Sequence, residues 1–278
     1  MSGAMPKACV MGHPVAHSRS PKLHTFWLRT LGIPGAYELA DVTEQDFPTF
    51  IRDLRARGYV GGNITVPHKE AAFRAVSRRD DAANAIGAVN TVWYEDGHLV
   101  GGNTDAHGFL SHIDATIPDW NGAAGRAVVL GAGGAARAIT YGLRQRGLAV
   151  AVVNRTVARA QSLAADFGAS AHGWTELPPL LGAADLVVNA TLLGMAGKPV
   201  LDIDLALLKP EAIVYDIVYV PLETALLRAA RGRGHRIVDG LGMLLHQAVP
   251  AFARWFGVTP RVTPELRAHI EADIPKAM

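Results

Sequence analysis

Three polar clusters interrupt the apolar pattern in the first part of the chain. Asn63-Ile64-Thr65-Val66-Pro67-His68-Lys69 closes one strand-like run and enters a helical one, Asn90 and Thr91 sit on another run, and Gly102-Asn103-Thr104-Asp105 leads into a second helical segment. In open α/β sheets ligands bind at the carboxyl ends of strands, so these positions are candidates for contact with a small polar molecule. Oxidising an alcohol needs a group that takes the hydroxyl proton as hydride leaves the same carbon. Lys69 can do this if burial lowers its pKa, with Asp105 fixing its position. The two influences oppose each other, and the residues alone leave open which prevails. Taken singly, each also has an ordinary reading, Lys69 as a solvated surface residue and Asp105 as a helix cap.

The sharpest local pattern is a G-x-G-x-x-A turn. Gly131-Ala132-Gly133-Gly134 separates the short apolar run Arg126 to Leu130 from a helical segment that begins at Ala135. Strand, glycine turn and helix in that order make a dinucleotide site: Gly131 allows the tight turn, Gly133 admits a pyrophosphate, and Ala136 lets helix and strand lie close. The first N–H groups of the helix and its dipole then attract an anion. Roughly 20 residues past the first glycine, NAD-binding chains place a carboxylate on the ribose 2′-hydroxyl. Here the sequence reads Asn154-Arg155-Thr156, with Arg159 following. An arginine there holds a 2′-phosphate in bidentate fashion, which a carboxylate would repel, so NADP is expected rather than NAD.

These residues need a scaffold, and the chain supplies an alternating one. Strand-length apolar runs and helical patterns follow each other almost throughout, which is the signature of βαβ units and an α/β fold with mostly parallel sheet. Strands are expected at Lys7 to Gly12, Ala36 to Val42, Val60 to Val66, and in a hairpin of Val89 to Tyr94 against His98 to Gly102 turned by Asp96-Gly97. Helices are expected at Ser20 to Leu31, with Ser20 as N-cap, at Thr43 to Arg57, and across Lys69 to Val76 and Asp80 to Ile86. A helix from Asp105 leads to a Gly/Ala-rich crossing at Asn121 to Gly125. A second alternation then runs to a strand at His235 to Asp239 and an apolar helix at Leu241 to Phe256. The expected domains are 1–108, completed by 240–278, and 109–239.

Composition sets limits on function. The chain has 278 residues, 49% of them apolar and with a formal charge of +2, so it can bury two cores and carries no basic stripe for nucleic acid. Cys9 is the only cysteine, which excludes an intramolecular disulfide framework and fits a reducing cytoplasm. No segment reads as a signal peptide or membrane span. His13, His17, His24 and His68 match no metal-ligand spacing, so no metal is expected.

Taken in order, the segments resemble the shikimate dehydrogenase family over nearly the whole chain. The strings are GHPVAHSRSPKLH from Gly12, GGNITVPHK from Gly61, IGAVNT from Ile86, GGNTDAHG from Gly101, VVLGAGGAARA from Val128, NRT from Asn154, NATLLGM from Asn189, YDIVYVPLETALL from Tyr215 and GLGMLLHQA from Gly240. The resemblance implies an N-terminal α/β substrate domain and a Rossmann-type doubly wound NADP-binding domain, with the C-terminal helix returning to the first. It implies reduction of 3-dehydroshikimate to shikimate in chorismate biosynthesis. Ser18 and Ser20 would hold the substrate carboxylate, and Thr65, Asn90, Tyr219 and Gln247 its ring hydroxyls or carboxylate. Lys69 and Asp105 would be the catalytic pair, and Gly131, Ala132, Gly133, Gly134, Ala135, Asn154, Arg155, Thr156, Arg159, Thr191 and Met243 would line the cofactor. Thr25, Ala106 and Leu192 depart from residues frequent in the family, and none carries an assigned role. A monomer or homodimer is expected. Two alternatives are an NAD-dependent quinate/shikimate dehydrogenase and a non-catalytic sensor of dinucleotide or shikimate.

Overall fold

A computed structural model describes residues 5–123 and 125–275. Ala124, within the expected Gly/Ala-rich crossing, lies outside the described residues, as do 1–4 and 276–278 at the outer ends of the expected domains. Contacts divide the chain into two units, Met1–Thr104 with Gln247–Ile270, and Asp105–His246 with Glu271–Met278. The divisions fall at 104/105 and 246/247 rather than at 108/109 and 239/240. The helix that begins at Asp105 packs within the second unit, and Met243 belongs to that unit's core.

The first unit contains β1 (Lys7–Gly12), α1 (Ser20–Thr30), β2 (Ala36–Asp41), α2 (Phe47–Arg52), β3 (Tyr59–Ile64), α3 (Lys69–Ala75), β4 (Arg78–Arg79), α4 (Asp81–Ile86), β5 (Thr91–Glu95) and β6 (His98–Gly102). The second contains α5 (Asp105–Thr116), α6 (Trp120–Ala123), β7 (Arg126–Leu130), α7 (Gly134–Gln145), β8 (Ala149–Val153), α8 (Val157–Phe167), β9 (Ser170–His172), α9 (Leu177–Ala183), β10 (Leu186–Asn189), β11 (Ile213–Asp216), α10 (Ala225–Gly232) and β12 (Arg236–Val238). The chain continues as α11 (Leu241–Phe256), in which the 246/247 division falls, and α12 (Pro264–Glu271).

The first sheet has the order β2-β1-β3-β5-β6-β4, with β5 running against its neighbours β3 and β6. Asp96 and Gly97 both take positive φ, 51° and 80°, the conformation that lets a two-residue loop follow the twist of its strands. Alternation along β1 sends Cys9 and Met11 to a core with Phe47, Ile51 and Leu54, and Ala8 and Val10 to the opposite face with Tyr37, Trp93, Ala251 and Trp255. That second face depends on a close approach at β3. The Trp255 indole N–H donates to the Val92 carbonyl at 2.9 Å, and a Cβ on Gly61 would lie 2.4 Å from the same nitrogen.

The second sheet is wholly parallel in the order β12-β11-β10-β7-β8-β9. Counted within the unit this is the doubly wound order 3-2-1-4-5-6, reversing between β7 and β10. One face packs Val129 and Tyr215 against Phe109, Ile113, Ile139 and Leu143, and the other packs Val128, Val187 and Val214 against Leu181, Leu226 and Leu227.

Several local expectations are corrected. The helix expected over Thr43 to Arg57 is confined to Phe47–Arg52, because Thr43 and Asp46 close a side-chain-backed turn before Pro48 and turns run from Asp53 into Gly58 at φ 86°. Ser20 is not the cap of α1. Arg19 holds that position, with no side-chain capping bond, while Ser20 is buried in the first turn and bonded to Tyr37. The elements β4, β9, α6, α9 and α12 were not expected. The two strands span two and three residues, and α9 begins at Leu177-Pro178-Pro179, where proline reads as a break although it fits a first helical turn.

His24 lies at the centre of the first unit's aromatic packing, stacked on Tyr37 at 4.1 Å and flanked by Trp27, Phe252 and Trp255. Burial pushes its pKa down from 6.5 to about 3, against a smaller opposing pull from Asn63. The unfolded chain therefore takes up a proton at pH values where the folded chain does not. This contribution to stability is intact above pH 6.5 and is lost as pH falls toward 3, by about 1.4 kcal/mol per pH unit. His24→Phe removes it, so the urea midpoint of the variant should fall less steeply than that of the parent between pH 6.5 and about 5. Equal slopes would remove His24 from the acid response.

Candidate functional site

In the second unit the glycine turn lies where the strand order reverses. Gly131 donates its N–H to the Val153 carbonyl at 2.8 Å and has φ +110°. A Cβ there would stand 3.0 Å from the Ala190 carbonyl and 3.1 Å from Thr191 Cγ2, so the turn presses directly on the end of β10. Gly133 and Gly134 are exposed, and a Cβ on either would meet nothing within 4 Å. The helix α7 starts at Gly134, one residue earlier than expected, so its first N–H groups face open space between the half-buried Ala132 and Ala135. Ala136 is fully buried and brings α7 close to the sheet. This is a cradle that a phosphate can enter and that side chains on the glycines would fill.

At the end of β8 the Asn154 amide donates to the Thr156 carbonyl at 2.9 Å and braces the turn. Arg155, Thr156 and Arg159 are exposed there. No acidic residue occurs from 154 to 165, and the next one, Asp166, pairs with Arg137 at 2.8 Å. The donor set fits a phosphorylated ribose. The Thr191 hydroxyl is used within its own loop, donating to Asn189 Oδ1 at 2.7 Å and accepting from the Leu193 N–H at 3.0 Å. Its methyl is the part that faces Gly131. Met243 is buried on the first turn of α11, and Tyr219 is half-buried on the loop after β11.

The first unit brings several of the expected substrate residues together through bonds that the sequence does not display. Asn90, buried, donates to Thr104 Oγ1 at 3.0 Å and Gln247 Oε1 at 3.4 Å, and its Oδ1 accepts from the Thr104 N–H at 2.9 Å. Thr91 donates to the same Oδ1 at 3.0 Å and accepts from Asn63 Nδ2 at 3.0 Å. Asn63 Oδ1 in turn accepts from the Tyr37 hydroxyl at 2.6 Å, and Tyr37 is bonded to Ser20. A chain of buried polar groups thus runs from Ser20 to Asn90 and ends on the half-buried Gln247. Asn63, Thr91 and Thr104 belong to the polar clusters singled out in the sequence but carry no individual role there, and Tyr37, near the start of β2, lies outside those clusters. Ser18 is half-buried and accepts from the Ser20 N–H at 3.3 Å.

Thr65 is half-buried just past β3, its N–H on the Met11 carbonyl. Lys69 is the first residue of α3 and half-buried, and belongs to the first unit. Asp105 is the first residue of α5, 9% exposed, in the second unit. The histidines have other partners: His68 is buried, stacked on Phe47 at 4.3 Å with Nε2 at 2.6 Å from the Val42 carbonyl, and His13 sits on Asp41 at 2.8 Å. Among the described residues no cluster of His, Cys, Asp or Glu is placed to hold a metal ion, and no helix is long and apolar enough to cross a membrane.

A doubly wound sheet with an open glycine turn at its reversal, together with a mixed-sheet unit lined by hydroxyls and amides, defines a dinucleotide-binding protein with a separate unit for a small polar molecule. Comparison with known proteins narrows the class. Residues 10–92 match the shikimate dehydrogenase substrate binding domain, 116–202 the shikimate / quinate 5-dehydrogenase family, and 240–264 the shikimate 5′-dehydrogenase C-terminal domain. A shikimate dehydrogenase (NADP(+)) of Methylocella silvestris is 56% identical, covering 100% of both chains. The solved shikimate 5-dehydrogenase of Thermus thermophilus, in complex with NADP(H) and shikimate, is 40% identical with a TM-score of 0.85, covering 96% of this chain and 100% of its own. The quinate dehydrogenase of Corynebacterium glutamicum, in complex with NAD, is 32% identical with a TM-score of 0.89, covering 96% and 99%. The chain belongs to the shikimate dehydrogenase family.

Gly131→Ala tests the turn without any ligand. The forced positive φ and the approach to Ala190 should cost roughly 1–3 kcal/mol of stability in urea unfolding, and a variant as stable as the parent would mean that the turn can move away from β10.

Proposed function

We propose that this chain catalyses the reversible NADPH-dependent reduction of 3-dehydroshikimate to shikimate, the reaction expected from its sequence. The observation that carries the proposal is family membership over the whole length, joined to exposed arginines at 155 and 159 in a stretch, 154 to 165, whose sequence holds no carboxylate. The second unit would hold the cofactor on the glycine turn, and the first, completed by Gln247–Ile270, would hold the substrate.

Arg155 and Arg159 would pair with the 2′-phosphate and stack near the adenine, with Asn154 and Thr156 shaping the turn. The N–H groups at the start of α7 would take the pyrophosphate. Thr191 and Met243 would supply apolar surface to the cofactor, since the Thr191 hydroxyl is already bonded within its loop. Ser18 and Ser20 would hold the substrate carboxylate, and Thr65, Asn90, Tyr219 and Gln247 its remaining oxygens. A fixed set of donors and acceptors suits a ligand with several hydroxyls, because each mismatch leaves a buried polar group unpaired.

When bound, NADPH supplies the hydride. In the reducing direction Lys69 would give a proton to the carbonyl oxygen that becomes the hydroxyl, and in reverse it would take that proton back. Asp105 would be the lysine's partner in that step, as the family resemblance implies. The setting would be the cytoplasm, in keeping with a single cysteine, Cys9, whose thiol burial keeps protonated, and the assembly a monomer or homodimer.

Initial rates of nicotinamide reduction with shikimate or quinate, each paired with NADP or NAD, test the proposal. Turnover is expected with shikimate and NADP and to be far weaker in the other pairings. Rapid turnover with quinate or NAD would move the chain toward the quinate dehydrogenase reading, which similarity to the Corynebacterium enzyme keeps in view. No turnover in any pairing would favour a sensor. Arg155→Asp should raise the Michaelis constant for NADP steeply, by roughly 100-fold for the loss of a charged contact and the gain of a repulsive one. An unchanged constant would remove Arg155 from the cofactor site.

A further inference from the structure

The carboxyl ends of β10 and β11 carry two fully buried polar residues, Asn189 and Asp216, to which the reading above gives no role. Asn189 Nδ2 donates to Asp216 Oδ1 at 2.9 Å and to the Leu193 carbonyl at 3.0 Å, and its Oδ1 accepts from the N–H and hydroxyl of Thr191 at 3.0 and 2.7 Å. Asp216 Oδ1 also accepts from the Val218 N–H at 3.0 Å, and Oδ2 accepts from the Thr224 hydroxyl at 2.7 Å. Thr224 is itself fully buried, and its oxygen caps α10 by accepting from the Leu227 N–H at 3.3 Å.

This arrangement is costly. Burial pushes the Asp216 carboxyl up to about 6 although three donors reach it. Apolar side chains would fill the same space without that desolvation. What the polar residues supply is direction, because each bond ends on a particular atom of a particular loop. Asn189 fixes the loop after β10, which carries Thr191, and Asp216 fixes the loop after β11, which carries Tyr219. The two loops also meet directly, the Ala196 N–H donating to the Val220 carbonyl at 2.8 Å.

We propose that Asn189, Asp216 and Thr224 are positioning residues that hold the Thr191 loop and the Tyr219 loop in one register, so that the cofactor and substrate contacts are set together. The proposal rests on the reading of Thr191 and Tyr219 given under the proposed function. Neither Asp216 nor Thr224 touches a ligand in this scheme. Both act through the loops, and disturbing either alters both binding steps at once.

Kinetics of the full-length protein, with shikimate and NADP varied separately, test this. Thr224→Val keeps the shape of the side chain but removes the donor to Asp216, whereas Thr224→Ser keeps the hydroxyl. Thr224→Val should raise both Michaelis constants roughly tenfold, with a smaller change in kcat, and Thr224→Ser should stay within about twofold of the parent. Asp216→Asn, which loses an acceptor at the same junction, should shift both constants in the same sense and stands in if Thr224→Val does not fold. A lower melting temperature with both constants unchanged would make the cluster merely structural and overturn the proposal, as would a shift in only one constant. Tyr219→Phe and Arg155→Ala separate this from the underlying reading. If they raise the shikimate and NADP constants while the Thr224 and Asp216 variants do not, the positioning role falls and the site assignment stands. If Thr224→Val shifts both constants and Tyr219→Phe leaves shikimate unaffected, the positioning role stands and the contact belongs to another residue of the loop.

Discussion

Buried amides and carboxylates at the ends of central strands must find hydrogen-bond partners, and much of the site geometry follows from how this chain satisfies that requirement. An unpaired polar group in such a place costs more than a bond to it gains, so its partners are held firmly once the strands have packed. In the first unit Asn63 and Asn90 draw in Tyr37, Thr91, Thr104 and Gln247. In the second, Asn189 and Asp216 draw in Thr191, Val218 and Thr224. The loops that would meet ligands are therefore anchored from beneath by side chains on rigid strands.

This anchoring matches the demands of the proposed reaction. Hydride and proton transfer require a small hydroxylated ring held in one orientation, and donors set in advance by folding spare the entropy of arranging them during binding. Glycines meet the other demand. Where phosphate must approach, Gly133 and Gly134 leave the start of α7 bare, and Gly131 lets the turn lie against the end of β10. In the proposed scheme charge would decide the remaining choice, since the exposed Arg155 and Arg159 suit a phosphorylated ribose.

Legibility in the sequence followed locality. The glycine turn, the Asn154-Arg155-Thr156 segment and the Asp96-Gly97 hairpin each encode their conformation in adjacent residues, and they were readable directly. The alternation of strands and helices identified the α/β class for the same reason. The helix over Thr43 to Arg57 was overextended because its apolar spacing continues where Thr43 and Asp46 bond each other instead. Ser20 looked like a cap, but a buried tyrosine from β2 claims its hydroxyl. Tyr37 and Asn63 are 26 residues apart, and Asn90 and Gln247 are separated by 157, so no local pattern could reveal those pairs. The assignments of Ser18, Tyr219 and Met243 came from the family resemblance and not from any property of the residues alone.

Lys69→Ala measures the central claim most directly. Turnover of shikimate with NADP is followed in the variant, together with equilibrium binding of each ligand by titration. The account predicts a loss of kcat of roughly 100- to 10,000-fold, the usual share of a general acid–base group, with shikimate and NADP affinities within a few-fold of the parent. Turnover at the parent rate, with the fold intact, would contradict it and take the proton-transfer role away from Lys69.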